Sequence, residues 1–285
     1  MVLLSPEEKI YIVHGIEANM RVDGREQLQF RPIEVETGLM PNCMGSARVL
    51  LGKTDLIACI SVDTITPLVE RPDEGKLEFY IHFSGITSPE FEGRKGEQKS
   101  DQISTIFNKL YSSVRLNSLC IEPRLKSWKL NIDVCVLSLD GNLYDAVSFA
   151  TKAALSSTNI PNMIVTNEDK GEKEFKISED PSDTWVPDIS DIPCFITVSK
   201  VGESFIVDAT SNEEQCTTFS CVVAVTESGL IQATLKVGPG SLQPGTFLTA
   251  LNQAVETGLI MNKELKSILA KESEIAYRET VGFLN

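Results

Sequence analysis

A chain of 285 residues, 42% of them hydrophobic, is long enough to bury a real core in one large domain or two smaller ones. Its 26 basic and 40 acidic residues leave a formal charge of −14, which repels a polyphosphate backbone at long range. That balance excludes strong nucleic-acid binding by the chain alone unless a local basic patch or basic partners override it. No apolar run reaches the ~18 residues of a membrane span, and "MVLLSPEEK" is too short for a secretory core region. The seven cysteines, Cys43, Cys59, Cys120, Cys135, Cys194, Cys216 and Cys221, include no C-x-x-C pair. Runs such as "LIACISV" and "IDVCVLSL" read as reduced cysteines serving as small hydrophobes, in a reducing compartment.

The chain opens with a helix in "LSPEEKIYIVHGIEANM": Ser5 is a good N-cap, Pro6 suits the first turn and Glu8 completes a capping box. "RVDGREQLQF" follows as a polar turn segment. "RPIEVETG", "GSARVLLG" and "DLIACISVDTI" are strands, with Lys53–Asp55 turning between the last two, and "KLEFYIHFSG" is a fourth. "SPEFEGRKGEQKSDQ" reads as a loop. "DQISTIFNKLYSSVRL" places Ile103, Ile106, Leu110 and Val114 at helical spacing. "SWKLNIDVCVLSL" is a strand, a tight turn follows, and "LYDAVSFATKAAL" is an alanine-rich helix. "NMIVTNED" is a strand. The charged, proline-bearing run 169–192 reads as a connection with one short strand. "CFITVSKV", "SFIVDAT", "FSCVVAVTESG" and "LIQATLKVG" are strands, the last two a hairpin through Glu227–Gly229. "QPGTFLTALNQAVETGL" begins a helix that continues through "NKELKSILAKESE". The order predicts an α+β fold of two similar halves of mixed sheet packed with helices: an N-terminal helix and arm (1–30), a first half (31–168), the connection (169–192) and a second half (193–285).

Few constellations suggest chemistry. His14 and His82 lack metal-ligand spacing and read as structural. No Ser–His–Asp arrangement is legible, and Gly141 is not followed by a serine elbow. "LGKTD" resembles the end of a phosphate loop, but Ala47 stands where the first glycine belongs. "GPGSLQPG" is a helix-entry loop. "EGRKGEQK" puts Arg94, Lys95 and Lys99 on one loop able to touch phosphates, partly offset by Glu92 and Glu97. Asp208, Glu213 and Glu214 in "DATSNEEQC" could hold a metal or shuttle protons, although such a run is more often a solvated turn. The helix start after Asp140 offers free N–H groups to an anion, but no side chain there usually holds phosphate.

Taken in order, "RVDGREQLQFRPI", "GSARVLLGKTD", "PEFEGRKG", "DGNLYDAVSFATKAAL", "VDATSNEE" and "KVGPGSL" resemble the RNase PH family over nearly the whole chain. Within it the chain is most similar to eukaryotic exosome ring subunits of the ribosomal-RNA-processing-forty-two type. The resemblance implies the RNase PH fold and a six-membered ring of related subunits around a pore. It also implies cap subunits with RNA-binding domains on one face, associated nucleases that do the cutting, and RNA threaded through the pore. Nucleus, nucleolus and cytoplasm are the implied compartments, with no membrane partner, cofactor or metal.

Active relatives have a glycine, a small hydroxyl residue and an arginine gripping the attacking phosphate where this chain has Gly141, Asn142, Leu143 and Tyr144. Tyrosine cannot supply the charge or fork of arginine, and Asp145 adds negative charge. The general-acid carboxylate aligns near Ser220, and no Asp or Glu occurs from Gln215 through Val225. One cation remains of a paired-arginine RNA grip, at Gln98 and Lys99. The expectation is therefore a non-catalytic ring subunit supporting 3′-to-5′ RNA processing and degradation, rRNA maturation included. Its RNA-contact candidates are Arg94, Lys95 and Lys99. The alternatives are an active phosphate-dependent 3′-exoribonuclease and, without the family, a small-molecule enzyme using the 208–214 carboxylates.

Overall fold

The computed structural model describes residues 4–85, 87, 93–167, 173–178, 180 and 182–275. The first helix, α1 (Pro6–Glu17), begins as its sequence dictates. The Ser5 hydroxyl accepts from the Glu8 N–H at 3.3 Å, and the Glu8 carboxylate accepts from the Ser5 N–H at 2.7 Å.

Strands β1 (Ile33–Thr37), β2 (Gly45–Leu51), β3 (Thr54–Ile65), β4 (Lys76–Phe83), β5 (Cys120–Glu122) and β6 (Lys126–Ser138) build the first sheet. Its order is β1-β2-β3-β6-β4, with β5 also on β6, and only the β4–β6 pair is parallel. Helix α2 (Gly93–Leu110) closes the β4 edge. The Asn108 side chain accepts from the Phe79 N–H at 2.9 Å and donates to its carbonyl at 3.1 Å, and the Ser104 hydroxyl accepts from the Ile81 N–H at 2.9 Å. Polar side chains of a helix thus stand in for a neighbouring strand and blunt an edge that would otherwise recruit one.

The span 93–102, expected as loop, is instead the first half of α2. Its apolar stripe begins only at Ile103, so hydrophobic periodicity could not report it. Gly93 in a left-handed conformation (φ +67°) starts the helix, and the good helix formers Arg94, Glu97, Gln98 and Lys99 carry it on.

Helix α3 (Leu143–Ser156) follows β6. Beyond it, β7 (Ile160–Pro161) pairs with β10 (Thr184–Trp185) and β8 (Met163–Asn167) with β9 (Lys173–Ile177). The connection therefore holds two strands, β9 and β10, where one was expected; both are short and polar, with little pattern to read. The second sheet is antiparallel, ordered β12-β11-β13-β14, from β11 (Cys194–Val201), β12 (Ser204–Val207), β13 (Phe219–Val225) and β14 (Ile231–Val237). A single helical turn, α4 (Ser211–Glu214), follows β12, and α5 (Pro244–Ile275) covers β11 and β13.

Helix α3 lies between the sheets, against β2 and β3 on one side and β11 on the other. Ala146, Ala150, Ala153 and Ala154 let both sheets approach closely, and every residue from Asp145 to Leu155 is buried, as a helix enclosed on all sides requires. Phe107 stacks on Phe195 at 5.6 Å, and Tyr111 lies 4.6 Å from Phe79 and 5.0 Å from Phe195, joining the sheets through α2. Buried Lys152 of α3 donates to the Ile192 carbonyl at 3.2 Å and the Asn262 side-chain oxygen at 2.9 Å, and pairs with Glu227 at 3.0 Å. Its charge is thereby satisfied while it pins α3 to α5. A smaller cluster, Ile12, Ile16, Val201, Ile206 and Ala209, seats α1 on the β11–β12 hairpin.

Of the seven cysteines only Cys194 and Cys221 are buried. Apolar runs suggested more, but strand alternation turns Cys59 and Cys135 to the open face of the first sheet.

Candidate functional site

The turn between β6 and α3 is left-handed at both Gly141 (φ +81°) and Asn142 (φ 57°). Asn142 does not cap α3 with its side chain; its amide donates to Asp208 at 2.8 Å. The Asn142 N–H, which faces the helix start, donates to the Glu214 carboxylate at 2.8 Å. The Thr54 hydroxyl donates to the Gly141 carbonyl at 2.8 Å and accepts from the Asp140 N–H at 3.0 Å.

Around this turn three buried arginines converge. Arg31 donates through Nε at 2.8 Å and Nη2 at 2.7 Å to Asp208, which also accepts its backbone N–H at 2.8 Å. Arg31 Nη1 reaches the Asp140 carbonyl at 2.8 Å. Arg25 donates to Asp208 at 2.9 Å and Arg21 to Glu213 at 2.8 Å, and Arg21 also holds the Asp208 carbonyl at 2.8 Å. Asp208 is fully buried and itself left-handed (φ 48°). Burial works to raise its carboxyl, but the Arg31 bonds and charge outweigh that and hold it below the usual carboxylate range.

The 208–214 run is therefore neither a solvated turn nor an open carboxylate pair, which corrects the sequence reading. Asp208 and Glu213 are buried and engaged by guanidinium groups 177 and 192 positions away in sequence. Glu214 stays accessible, but its carboxylate turns inward; burial there raises its pKa, with the Asn142 N–H and Arg31 opposing. Among the described residues no group of three or more His, Cys, Asp or Glu is arranged to hold a metal.

The residues aligned with a phosphate grip serve packing. The Tyr144 ring stacks on Phe107 at 5.7 Å, and burial, then Glu214, raises its hydroxyl pKa. Leu143 packs against the same core. Asp145 is fully buried and binds β11, accepting the Thr197 hydroxyl at 2.6 Å and its N–H at 3.0 Å. Burial pushes its carboxyl up to about 7, against the Thr197 bonds. Ser220 pairs across strands with Ser199, their hydroxyls 2.8 Å apart. Alternation puts Ser199 on the same face of β11 as Thr197, so the Ser220 pair shares the sheet face that receives Asp145. Arg94 and Lys99 lie exposed on α2, not on a loop, and position 95 lies in the same helix; Glu92 is outside the described residues.

Because Asp145 has a folded pKa raised from 3.8, its protonated form favours the fold below about pH 4, and that contribution is lost as pH rises through about 7. Asp145→Asn should remove this slope. Urea titrations at pH 5 and 8 are expected to show the variant gaining on the parent by on the order of 2 kcal/mol at the higher pH.

Sequence reasoning missed Arg21, Arg25 and Arg31 as site residues. An arginine in a polar turn reads as solvated, and only their spacing within a family segment drew notice.

Residues 29–161 match the model of domain 1 of the 3′ exoribonuclease family, RNase PH, and residues 191–257 that of domain 2. A Dictyostelium discoideum protein named putative exosome complex exonuclease RRP42 is 30% identical, over 93% of this chain and 98% of that one. The Methanopyrus kandleri exosome complex component Rrp42 is also 30% identical, over 94% and 98%. A chain of an Archaeoglobus fulgidus exosome with RNA bound to the active site shares the fold at a TM-score of 0.72 and 23% identity, over 90% of this chain and 97% of that one. The segments "RVDGREQLQFRPI", "DGNLYDAV" and "VDATSNEE", remote in sequence, thus meet in one buried junction, and with both domain models matched and full-length relatives at 30% identity the chain belongs to the RNase PH family of 3′ exoribonucleases.

Proposed function

We propose that this chain is a non-catalytic structural subunit of an RNA exosome core ring. Residues 31–168 and 193–285 are taken as its two halves, joined by 169–192, with 1–30 as helix and arm. In this role it assembles with related RNase PH-type subunits into a six-membered ring, carries cap subunits with RNA-binding domains and works with associated nucleases. It supports 3′-to-5′ RNA processing and degradation, rRNA maturation included, in nucleus, nucleolus and cytoplasm. Relatives named exosome complex components along nearly their whole length support the assembly. Arg94, Lys95 and Lys99 are proposed as contacts for RNA in the pore.

The observation that carries the non-catalytic reading is the occupied helix start. The Asn142 N–H is held by the chain's own Glu214, and Arg31 is spent on Asp208, Asp140 and Gly141. Asp140, Asp145, Asp208 and Glu214 surround the place where a phosphate would sit, so its charge would be repelled. Ser220, bonded to Ser199, is too weak an acid to protonate a leaving oxygen. The word exonuclease in the Dictyostelium relative's name favours a second reading, an active phosphate-dependent 3′-exoribonuclease.

One assay separates them. Purified chain incubated with RNA, with and without phosphate, is expected to release no nucleoside diphosphate; robust phosphate-dependent release supports the second reading. In a reconstituted ring, RNA crosslinking should fall and lose salt dependence in Arg94→Glu; unchanged crosslinking removes α2 from the RNA path.

A further inference from the structure

The open face of the first sheet gathers thiols. Cys59 on β3 lies opposite Asp133 on β6, while Cys135, two residues along β6, lies opposite Ile57. Cys59 and Cys135 are therefore diagonal neighbours on one face. His82 on β4 is opposite Cys135. The loop before β2 folds back over β3, its Met44 N–H donating to the Ile60 carbonyl at 3.0 Å. This brings Cys43 onto the same face, with its thiol in hydrogen-bonding contact with that of Cys59. Cys43 and Cys59 are half-buried and Cys135 is exposed, so a small oxidant can reach them.

We propose that Cys43 and Cys59 are a reversible redox pair, closed to an intrachain disulfide by a hydroperoxide. Burial, then the bond from Cys43, raises the Cys59 thiol to about 11, so Cys59 stays protonated and Cys43 is the attacking group. The Cys43 thiolate attacks a peroxide oxygen: an S–O bond forms, the O–O bond breaks, and the leaving hydroxide takes a proton to become water. The Cys59 sulfur then attacks the Cys43 sulfur, giving up its proton. The S–S bond forms, the S–O bond breaks, and a second water leaves. Two thiols thus supply the two electrons that reduce hydrogen peroxide to water. Closure fastens to β3 the loop that carries Leu39, Met40 and Met44, three side chains exposed at 41%, 41% and 47%. The oxidation state thereby sets how firmly an apolar surface loop is held.

The test treats the full-length chain with stoichiometric hydrogen peroxide, blocks remaining thiols by alkylation, and maps the peptides by mass spectrometry. Alkylation of Cys43 and Cys59 is expected to fall together by roughly tenfold, with one linked Cys43–Cys59 peptide that dithiothreitol separates, while Cys120 and Cys216 stay alkylated. Cys43→Ser and Cys59→Ser should each abolish the link with the far-ultraviolet dichroism unchanged; if either fails to fold, the wild-type map decides. An unchanged thiol count, sulfinic acid at Cys43 beside alkylated Cys59, or a bond through Cys135 overturns the proposal.

Discussion

Asp208→Ala is expected to destabilise the chain by about 3–5 kcal/mol, the effect of removing one partner from a buried ion pair. The carboxylate sits in no solvent and is bonded by Arg25, Arg31, the Arg31 N–H and the Asn142 amide. Its loss leaves two guanidinium groups buried without their anion, and α3 loses the tie that shapes its first turn. Asp23→Ala is the control. Asp23 binds the same Arg25, at 2.6 Å, but its side chain is 38% exposed, so water replaces it at under about 1 kcal/mol. Denaturant titrations of the two variants decide whether burial, and not the ion pair as such, sets the magnitude. The pH dependence has a definite sign. The Asp208 carboxyl is held below its unfolded value of 3.8, so its contribution is present above that pH and is lost as pH falls through the folded pKa. The parent should weaken on acidification below about pH 4, and Asp208→Ala should show a shallower slope there.

How much of this was open to a reader of the sequence follows from which interactions are local. The Ser5–Glu8 capping box, the hairpin at 226–230 and the long helix from Pro244 depend on residues within a few positions of one another, and each forms as expected. The first half of α2 depends on a tertiary partner. Its Ser104 and Asn108 bind the backbone of β4, and no periodicity announces such a contact. The site was legible in what it lacks: an arginine at Tyr144 and a carboxylate at Ser220 are absent from the sequence itself. It was illegible in what it holds. That Glu214 occupies the helix start, and that Arg21, Arg25 and Arg31 reach Glu213 and Asp208, follows from the second half docking against the first. A charged run and a polar turn otherwise look like solvated surface. The same docking accounts for the family segments, which here carry the joint between the halves.

That joint makes Gly141 the least replaceable small residue near the site. Gly141→Ala is expected to cost about 3–5 kcal/mol and Gly24→Ala only about 1 kcal/mol, although both glycines have φ +81°. The dihedral strain is therefore the same, and the difference is steric. A Cβ on Gly24 meets nothing within 4 Å, whereas a Cβ on Gly141 lies 2.5 Å from the Ala209 carbonyl oxygen and 2.7 Å from the Ser211 nitrogen. Those atoms are backbone and cannot rotate away. They are held by Arg21 on the Asp208 carbonyl and by Glu213, which accepts from the Thr210 N–H at 2.8 Å. Relief needs the 208–211 segment to move off the turn, and such a movement breaks the Asn142–Asp208 and Asn142–Glu214 bonds together. Urea unfolding of both variants measures the contrast. If Gly141→Ala loses no more than Gly24→Ala, the segment yields freely and the two halves are not locked at this turn; a large excess at Gly141 establishes that the helix start is shaped by the second half.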